Sequence, residues 1–249
     1  MCTLSFLPAK NGYVAAMNRD EQRTRPAALP PIIGEGGGFP VLYPREPGGG
    51  TWIGANARGN LLALLNWYSE EPSQPGPKNR SRGEIIPAIL DEATAESADP
   101  TLRQLSLAGL FPFRLFGFFP GERAIYEWRW DTQTLIVKSH DWRRHHWFSS
   151  SWSDEKAARQ RGAACERAWR EGPSDPAAWL RKVHASHDPE AGPFSICVHR
   201  EDATTVSYTE VYCDRRDLQM RYQAGNPCQV EADFTMAYLP ALSASSNTR

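Results

Sequence analysis

The opening Met1-Cys2-Thr3-Leu4-Ser5-Phe6-Leu7 and the return Tyr13-Val14-Ala15-Ala16-Met17-Asn18-Arg19-Asp20-Glu21 decide how this chain is read. Two apolar runs, 2–7 and 13–17, flank Asn11-Gly12, the strongest short-range signal for a β-hairpin. Such a hairpin brings Arg19 and Asp20 back beside Cys2. Removal of the initiator Met would leave Cys2 with a free α-amine next to its thiol. The amine titrates near about 7.7–8.0 and the thiol near about 8.5. The amine can therefore act as general base for the thiol of the same residue, with no His partner. An Arg beside the thiol favours the thiolate, and an Asp there holds the ammonium or the Arg. Taken alone, a Cys at position 2 is an ordinary small residue, and Asn-Arg-Asp-Glu is an ordinary charged end to a hairpin.

Working outward, residues 18–50 are rich in Pro, Gly and charge and read as a long surface loop, a length often tied to function. A second hairpin follows, with strands at 52–55 and 61–66 around a turn at 56–60. Residues 70–80 read as a polar, Pro-rich loop. Ser81-Arg82-Gly83-Glu84 has the form of a capping box ahead of Ile85, Ile86, Ile89 and Leu90, which share one helical face. Further helices are expected at 101–107, 153–170 and 176–186. The second starts with Asp154 and Glu155, which suit the macrodipole, and stops at Gly172-Pro173. Strands are expected at 114–119, 124–130, 134–138, 194–198, 204–211 and 218–224. Strands come in runs and helices in runs, which favours a layered α+β domain over a doubly wound parallel sheet. Residues 1–240 read as one domain and 241–249 as a frayed tail.

Composition removes several classes. Of 249 residues, 41% are hydrophobic and 23% charged, which excludes a disordered chain, a coiled coil and a collagen-like fibre. Lys plus Arg total 28 against 29 Asp plus Glu, a net charge of −1 that argues against a nucleic-acid binder. The longest apolar stretch, 105–119, contains Pro112 and Arg114 and is shorter than the roughly 18 residues a spanning helix needs. The first apolar run breaks at Pro8 and Lys10 without a basic leader, so the expected location is cytoplasmic. Cys2, Cys165, Cys197, Cys213 and Cys228 then read as free thiols. With no CxxC pair, no metal site is expected, and Cys197, in an apolar run, reads as inert core.

Several ordered motifs give the chain a family resemblance. These are Met1-Cys2-Thr3, the Asn11-Gly12 turn, Asn18-Arg19-Asp20-Glu21, Gly49-Gly50-Thr51-Trp52-Ile53-Gly54, Asn56-Ala57-Arg58-Gly59, Leu65-Asn66 and Ser81-Arg82-Gly83. The chain resembles the N-terminal nucleophile hydrolases of the bile-salt hydrolase and penicillin V acylase branch. Its Asn-Arg-Asp-Glu quartet is the name-giving motif of the NRDE, or transport and Golgi organisation, family. The resemblance is dense over 1–89 and thins afterwards. It implies a four-layer αββα sandwich. It also implies that Cys2 is the nucleophile, tuned by Arg19 and Asp20, and that Asn66 is an oxyanion donor. A neutral carboxamide N–H suits that last task. Where relatives carry a second oxyanion Asn, this chain has Ser150. Asn18, Trp52, Trp67 and Arg82 are the expected ligand-binding residues.

The expected function is slow hydrolysis or transfer of an acyl group from a small amide, ester or thioester, with no cofactor. The alternative is a non-enzymatic carrier of haem or of an acyl or lipid-like ligand in the same pocket. The cluster His140, His145 and His146, or the pair His184 and His187, could serve a metal or haem iron, although satisfied or solvated histidines are the commoner reading.

Overall fold

The computed structural model describes residues 1–68, 80–172, 175–215, 217–229 and 233–240. The chain opens with β1 (Cys2–Ala9) and β2 (Gly12–Gln22), then β3 (Leu29–Glu35), β4 (Pro40–Arg45), β5 (Ile53–Asn56) and β6 (Leu61–Asn66). A 3-10 turn at Arg82–Glu84 leads into α1 (Ile85–Ile89) and α2 (Ala95–Gln104). Four strands follow: β7 (Phe113–Phe119), β8 (Ala124–Trp130), β9 (Leu135–His140) and β10 (His145–Ser149). Then come α3 (Asp154–Arg170), α4 (Pro176–His184), β11 (Ala203–Cys213), β12 (Asp217–Ala224) and β13 (Thr235–Pro240).

The strands form two antiparallel sheets. One runs β10-β1-β2-β11-β12-β13 and the other β3-β4-β5-β6-β7-β8-β9. Period-two alternation sorts the side chains of β1. Cys2, Leu4 and Phe6 face a core shared with Leu61, Ala63, Leu65, Phe116 and Phe118 of the second sheet. On its other face, Leu7 joins Val14, Ala157, Leu180 and Val183 under α3 and α4. The far face of the second sheet is covered by Ile85, Ile86, Ile89, Ala98 and Leu102 of α1 and α2. The result is the expected α+β sandwich of four layers, αββα.

The hairpin forms, but not for the reason the Asn11-Gly12 signal suggests. Gly12 pairs with Ala9, so Lys10 and Asn11 make the turn. Gly12 is required instead by β11. A Cβ there would lie 1.9 Å from the carbonyl oxygen of Cys213. The expected loop 18–50 is also mostly strand. β2 runs on to Gln22, and β3 and β4 follow. The prolines of β3 are tolerated because β3 is the edge of its sheet. The expected helix at 101–107 instead begins at Ala95, with Pro100 inside it and Thr94 and Ser97 forming the capping box. Residues 194–198 are not a ladder strand and make only an isolated bridge, Gly192 to Val198. Edge strands β10 and β13 were not expected. The loop expected at 70–80 lies outside the described residues except for Arg80, as do Pro173 and the tail 241–249.

Candidate active site

The β1 register sets the site. Cys2 stands opposite Arg19 on β2 and Ser149 on β10. Its backbone N–H donates to Ser149 Oγ at 2.9 Å. The Met1 ammonium, buried, donates to the Asp20 carbonyl at 3.2 Å. A cavity of about 450 Å3 opens here, lined by Cys2, Arg19, Asp20, Trp52, Asn66 and Arg82 among others. The cavity wall joins two motifs far apart in sequence. Thr51 N–H donates to the Gly83 carbonyl at 3.0 Å. The two backbones meet so closely that a Cβ on Gly50 would sit 3.1 Å from Gly83 Cα, which accounts for glycine at both positions.

Behind Cys2 lies Arg161, a residue the sequence offered only as part of a helix. It has no exposed surface. Its Nη1 reaches Thr3 Oγ1 at 3.0 Å and the carbonyls of Cys2 and Ser149 at 3.4 Å each. The same nitrogen stands 3.8 Å from Asp20 Oδ2. The other Asp20 oxygen accepts from Thr205 Oγ1 at 2.6 Å. A fixed charge therefore lies directly under the first peptide. The signal in the sequence was a lone Arg on the helical face otherwise taken by Ala157, Ala164 and Cys165.

Electrostatics follow from burial. Burial pushes the Cys2 thiol up, and the Met1 ammonium opposes this without overcoming it. The thiol is thus protonated near neutrality while Met1 is present. Burial would lower the Met1 ammonium, but the acidic groups around it, Cys2, Tyr68, Asp20 and Glu21, outweigh that as they ionise, and its value rises. Burial also raises the Asp20 carboxyl against the pull of Arg161. Arg19 donates to Glu46 at 2.6 Å and lies 4.5 Å over the Trp52 ring. Asn66 Nδ2 donates to the Tyr68 hydroxyl at 2.7 Å. Arg82 donates to the Pro112 carbonyl, and burial lowers its value.

Three expected site residues stand elsewhere. Asn18 points away from the cavity, because alternation along β2 puts it on the α4 side. There it donates to the carbonyls of His184 and Ile196. Trp67 lines a different cavity of about 700 Å3 with Arg114 and Arg129. Ser150 lies one residue past the partner of Cys2. Its N–H donates to Asp154 Oδ1 at the start of α3, and its Oγ accepts from Trp152 N–H. The hydroxyl beside Cys2 belongs to Ser149.

The histidine cluster only partly converges. The His140 and His145 rings pack edge to face at 5.6 Å, but His140 bonds Glu127, His145 bonds the Asp141 carbonyl, and His146 turns away to Ser5. His184 and His187 also part company, the first into the core and the second toward His199. The expectation of no metal set meets a different finding. His187, Cys197, His199 and Cys228 come together, so Cys197 is not simply core.

With its four layers and Cys2 at the head of a central strand, the protein has the fold of the N-terminal nucleophile hydrolases. It resembles the penicillin V acylase of Agrobacterium tumefaciens over 95% of this chain and 85% of that one, with a TM-score of 0.53 and 14% identity. The C2A mutant of the conjugated bile acid hydrolase from Clostridium perfringens gives 0.53 at 10% identity, over 95% and 92% of the two chains. At such identities the likeness is one of fold. The chain belongs to the Transport and Golgi organisation 2 family, whose profile matches residues 1–127. The mouse Transport and Golgi organization 2 homolog is 38% identical over 86 residues, 33% of this chain and 30% of that protein. The human homolog is 32% identical over 105 residues, 41% and 36% of the two chains. The matched stretches thus span about a third of those relatives' length.

Proposed function

We propose that the protein, once Met1 is removed, uses Cys2 to hydrolyse or transfer the acyl group of a small amide, ester or thioester. One observation carries the reading: Cys2, Arg19, Asp20 and Asn66 line one cavity. In the reaction, the free α-amine takes the thiol proton. The thiolate sulfur bonds the substrate carbonyl carbon, and the π pair moves to oxygen. Asn66 N–H donates to that oxyanion. The pair then returns, the bond to the leaving amine, alkoxide or thiolate breaks, and the ammonium hands its proton to the leaving group. Water, deprotonated by the same amine, attacks the thioester and expels the Cys2 sulfur; a second amine or alcohol in its place gives transfer. Ser149 Oγ, which accepts from the Cys2 nitrogen, is placed to orient that amine. Arg161, bonded to the Cys2 carbonyl, is a positioning residue. Among the described residues Arg82 has no carboxylate partner, which suits an acyl group carrying an anionic substituent.

The test is acylation. Intact-mass analysis establishes removal of Met1, and an activated thioester is then offered. The expected result is one acyl group on Cys2, formed about 100- to 1,000-fold more slowly in Asn66→Ala, the usual cost of an oxyanion donor. Chain lacking Met1 that never acylates refutes the reading and favours a carrier of acyl or lipid-like ligands in the same cavity. Asn66→Ala acylating at the parent rate removes the oxyanion assignment alone.

A further inference from the structure

Apart from the Cys2 cavity, three separate segments bring soft donor atoms to one point. His187 follows α4, Cys197 and His199 flank Val198 ahead of β11, and Cys228 lies in the turn after β12. One ligand atom from each lies within 4.8 Å of the other three. The two histidines face each other Nε2 to Nε2 at 3.0 Å. The two sulfurs are 3.4 Å apart. His199 Nε2 is 3.3 Å from Cys228 Sγ and 3.7 Å from Cys197 Sγ.

Those separations can be compared with a tetrahedron. Zinc binds sulfur at about 2.3 Å and imidazole nitrogen at about 2.0–2.1 Å. The edges of such a tetrahedron are about 3.8 Å between sulfurs, about 3.6 Å between sulfur and nitrogen, and about 3.3 Å between nitrogens. The four separations given fall within a few tenths of an ångström of these edges, and the remaining two, from His187 to the sulfurs, stay within 4.8 Å, so a small turn of the His187 ring completes the tetrahedron. A disulfide needs its sulfurs about 2.05 Å apart, so the 3.4 Å pair is not bonded. Each pair taken singly can be a hydrogen bond between neutral groups; the convergence of all four donors, from three segments, is what a metal centre uses.

We infer that His187, Cys197, His199 and Cys228 form a structural zinc site. Thiolate with imidazole selects zinc over calcium or magnesium. Four protein donors leave no open position, so the ion serves structure rather than catalysis. On binding, both thiols release their protons to solvent and the imidazoles bind neutral.

The site adjoins the Cys2 cavity without depending on its chemistry. Val198, between two ligands, donates its N–H to Thr205 Oγ1 at 2.8 Å, and Thr205 in turn donates to Asp20. Arg200, next to His199, reaches Ser151 Oγ at 3.0 Å. The ion would clamp the segment that carries both contacts.

The experiment is metal analysis of the full chain, purified with a phosphine reductant and no affinity histidines. One zinc per chain is expected, retained in Cys2→Ala and Cys165→Ser and lost in the double variant Cys197→Ser/Cys228→Ser. Loss of zinc to a chelator should free two further thiols to a thiol reagent. Cobalt added to the apo chain should give tetrahedral d–d bands and sulfur-to-cobalt charge transfer, a readout that needs no variant to fold. A folded, reduced wild-type chain that takes up neither zinc nor cobalt overturns the inference. So does stoichiometric zinc in the folded double variant.

Discussion

Mild acid should destabilise this protein through two buried imidazoles. His184 is fully buried and His146 partly so, and desolvation pushes both down to about 3 from an ordinary 6.5. Their bonding explains the resistance. Asn18 spends its amide on two carbonyls, so its Oδ1 accepts from His184 Nδ1–H at 3.0 Å. His184 Nε2 is therefore bare and accepts from Ser5 Oγ–H at 2.9 Å. Ser5 Oγ then accepts from His146 Nδ1–H at 2.8 Å. Protonating His184 at Nε2 reverses the Ser5 hydroxyl and forces His146 to move its own proton to a nitrogen that has no partner among the described residues. Below about 6.5 the unfolded chain binds protons that the folded chain refuses until about 3. Stability is therefore complete above that upper value and is lost as pH falls through the window. By linkage, each imidazole costs about 2 kcal/mol at pH ~5 relative to pH ~8. The pair together cost at most about 4 kcal/mol, a large share of a typical total of about 5–15. Asp20 and Glu210, both raised by burial, act in the opposite sense, so the assay must be differential. Urea unfolding followed by tryptophan fluorescence at both pH values is compared between the parent and His184→Gln, which keeps a donor and an acceptor. The parent should lose about 2 kcal/mol more than the variant over that range. Equal losses would falsify the buried-imidazole account.

Arg161→Ala leaves the Asp20 carboxyl buried without its cation and should cost about 3–5 kcal/mol in urea unfolding. A loss under about 1 kcal/mol would show the pair to be dispensable. Alkylation of Cys2 by limiting iodoacetamide should be slow in chain retaining Met1, where burial holds the thiol protonated, and faster after Met1 removal. Equal rates would remove the link between the α-amine and the thiol. Gly12→Ala, whose Cβ would meet the Cys213 carbonyl at 1.9 Å, should lose at least about 1–3 kcal/mol. Gly48→Ala, with nothing among the described residues within 4 Å, should stay within about 0.5 kcal/mol of the parent. Calorimetric Tm values for the two would decide.

What could be read beforehand was local. The β1–β2 hairpin, the β5–β6 pair, α3 and the β7–β8 pair follow from apolar periodicity and caps, and α3 begins within a residue of its Ser153 cap. Strand β3 was hidden because an edge strand tolerates the Pro and Gly that otherwise mark a loop, and β4 because Pro40 and Pro44 bracket its short apolar run. Trp67, expected to bind ligand, shows how little residue type says about which cavity a side chain enters. Asn18 was misplaced because motif adjacency ignores alternation: neighbours on a strand face opposite sides. Arg161 and the four clustered donors were hidden for another reason. Each depends on segments that meet only through the tertiary fold, and no spacing rule spans them.

The covering of Met1 sets a clock. Its sulfur lies against Ser151 and Arg200, and its ammonium against Asp20. Two of those three covers are made long after the first residue leaves the ribosome. At ~5–20 residues per second, Arg200 follows Met1 by roughly 10–40 s. An aminopeptidase has Met1 within reach during that interval, and the finished fold then shuts it in. If Cys2 works as proposed, with Met1 removed, trimming would be a race against translation. Protein produced faster than it is trimmed would carry a locked, amine-blocked fraction, and later peptidase treatment could not convert that fraction without unfolding it.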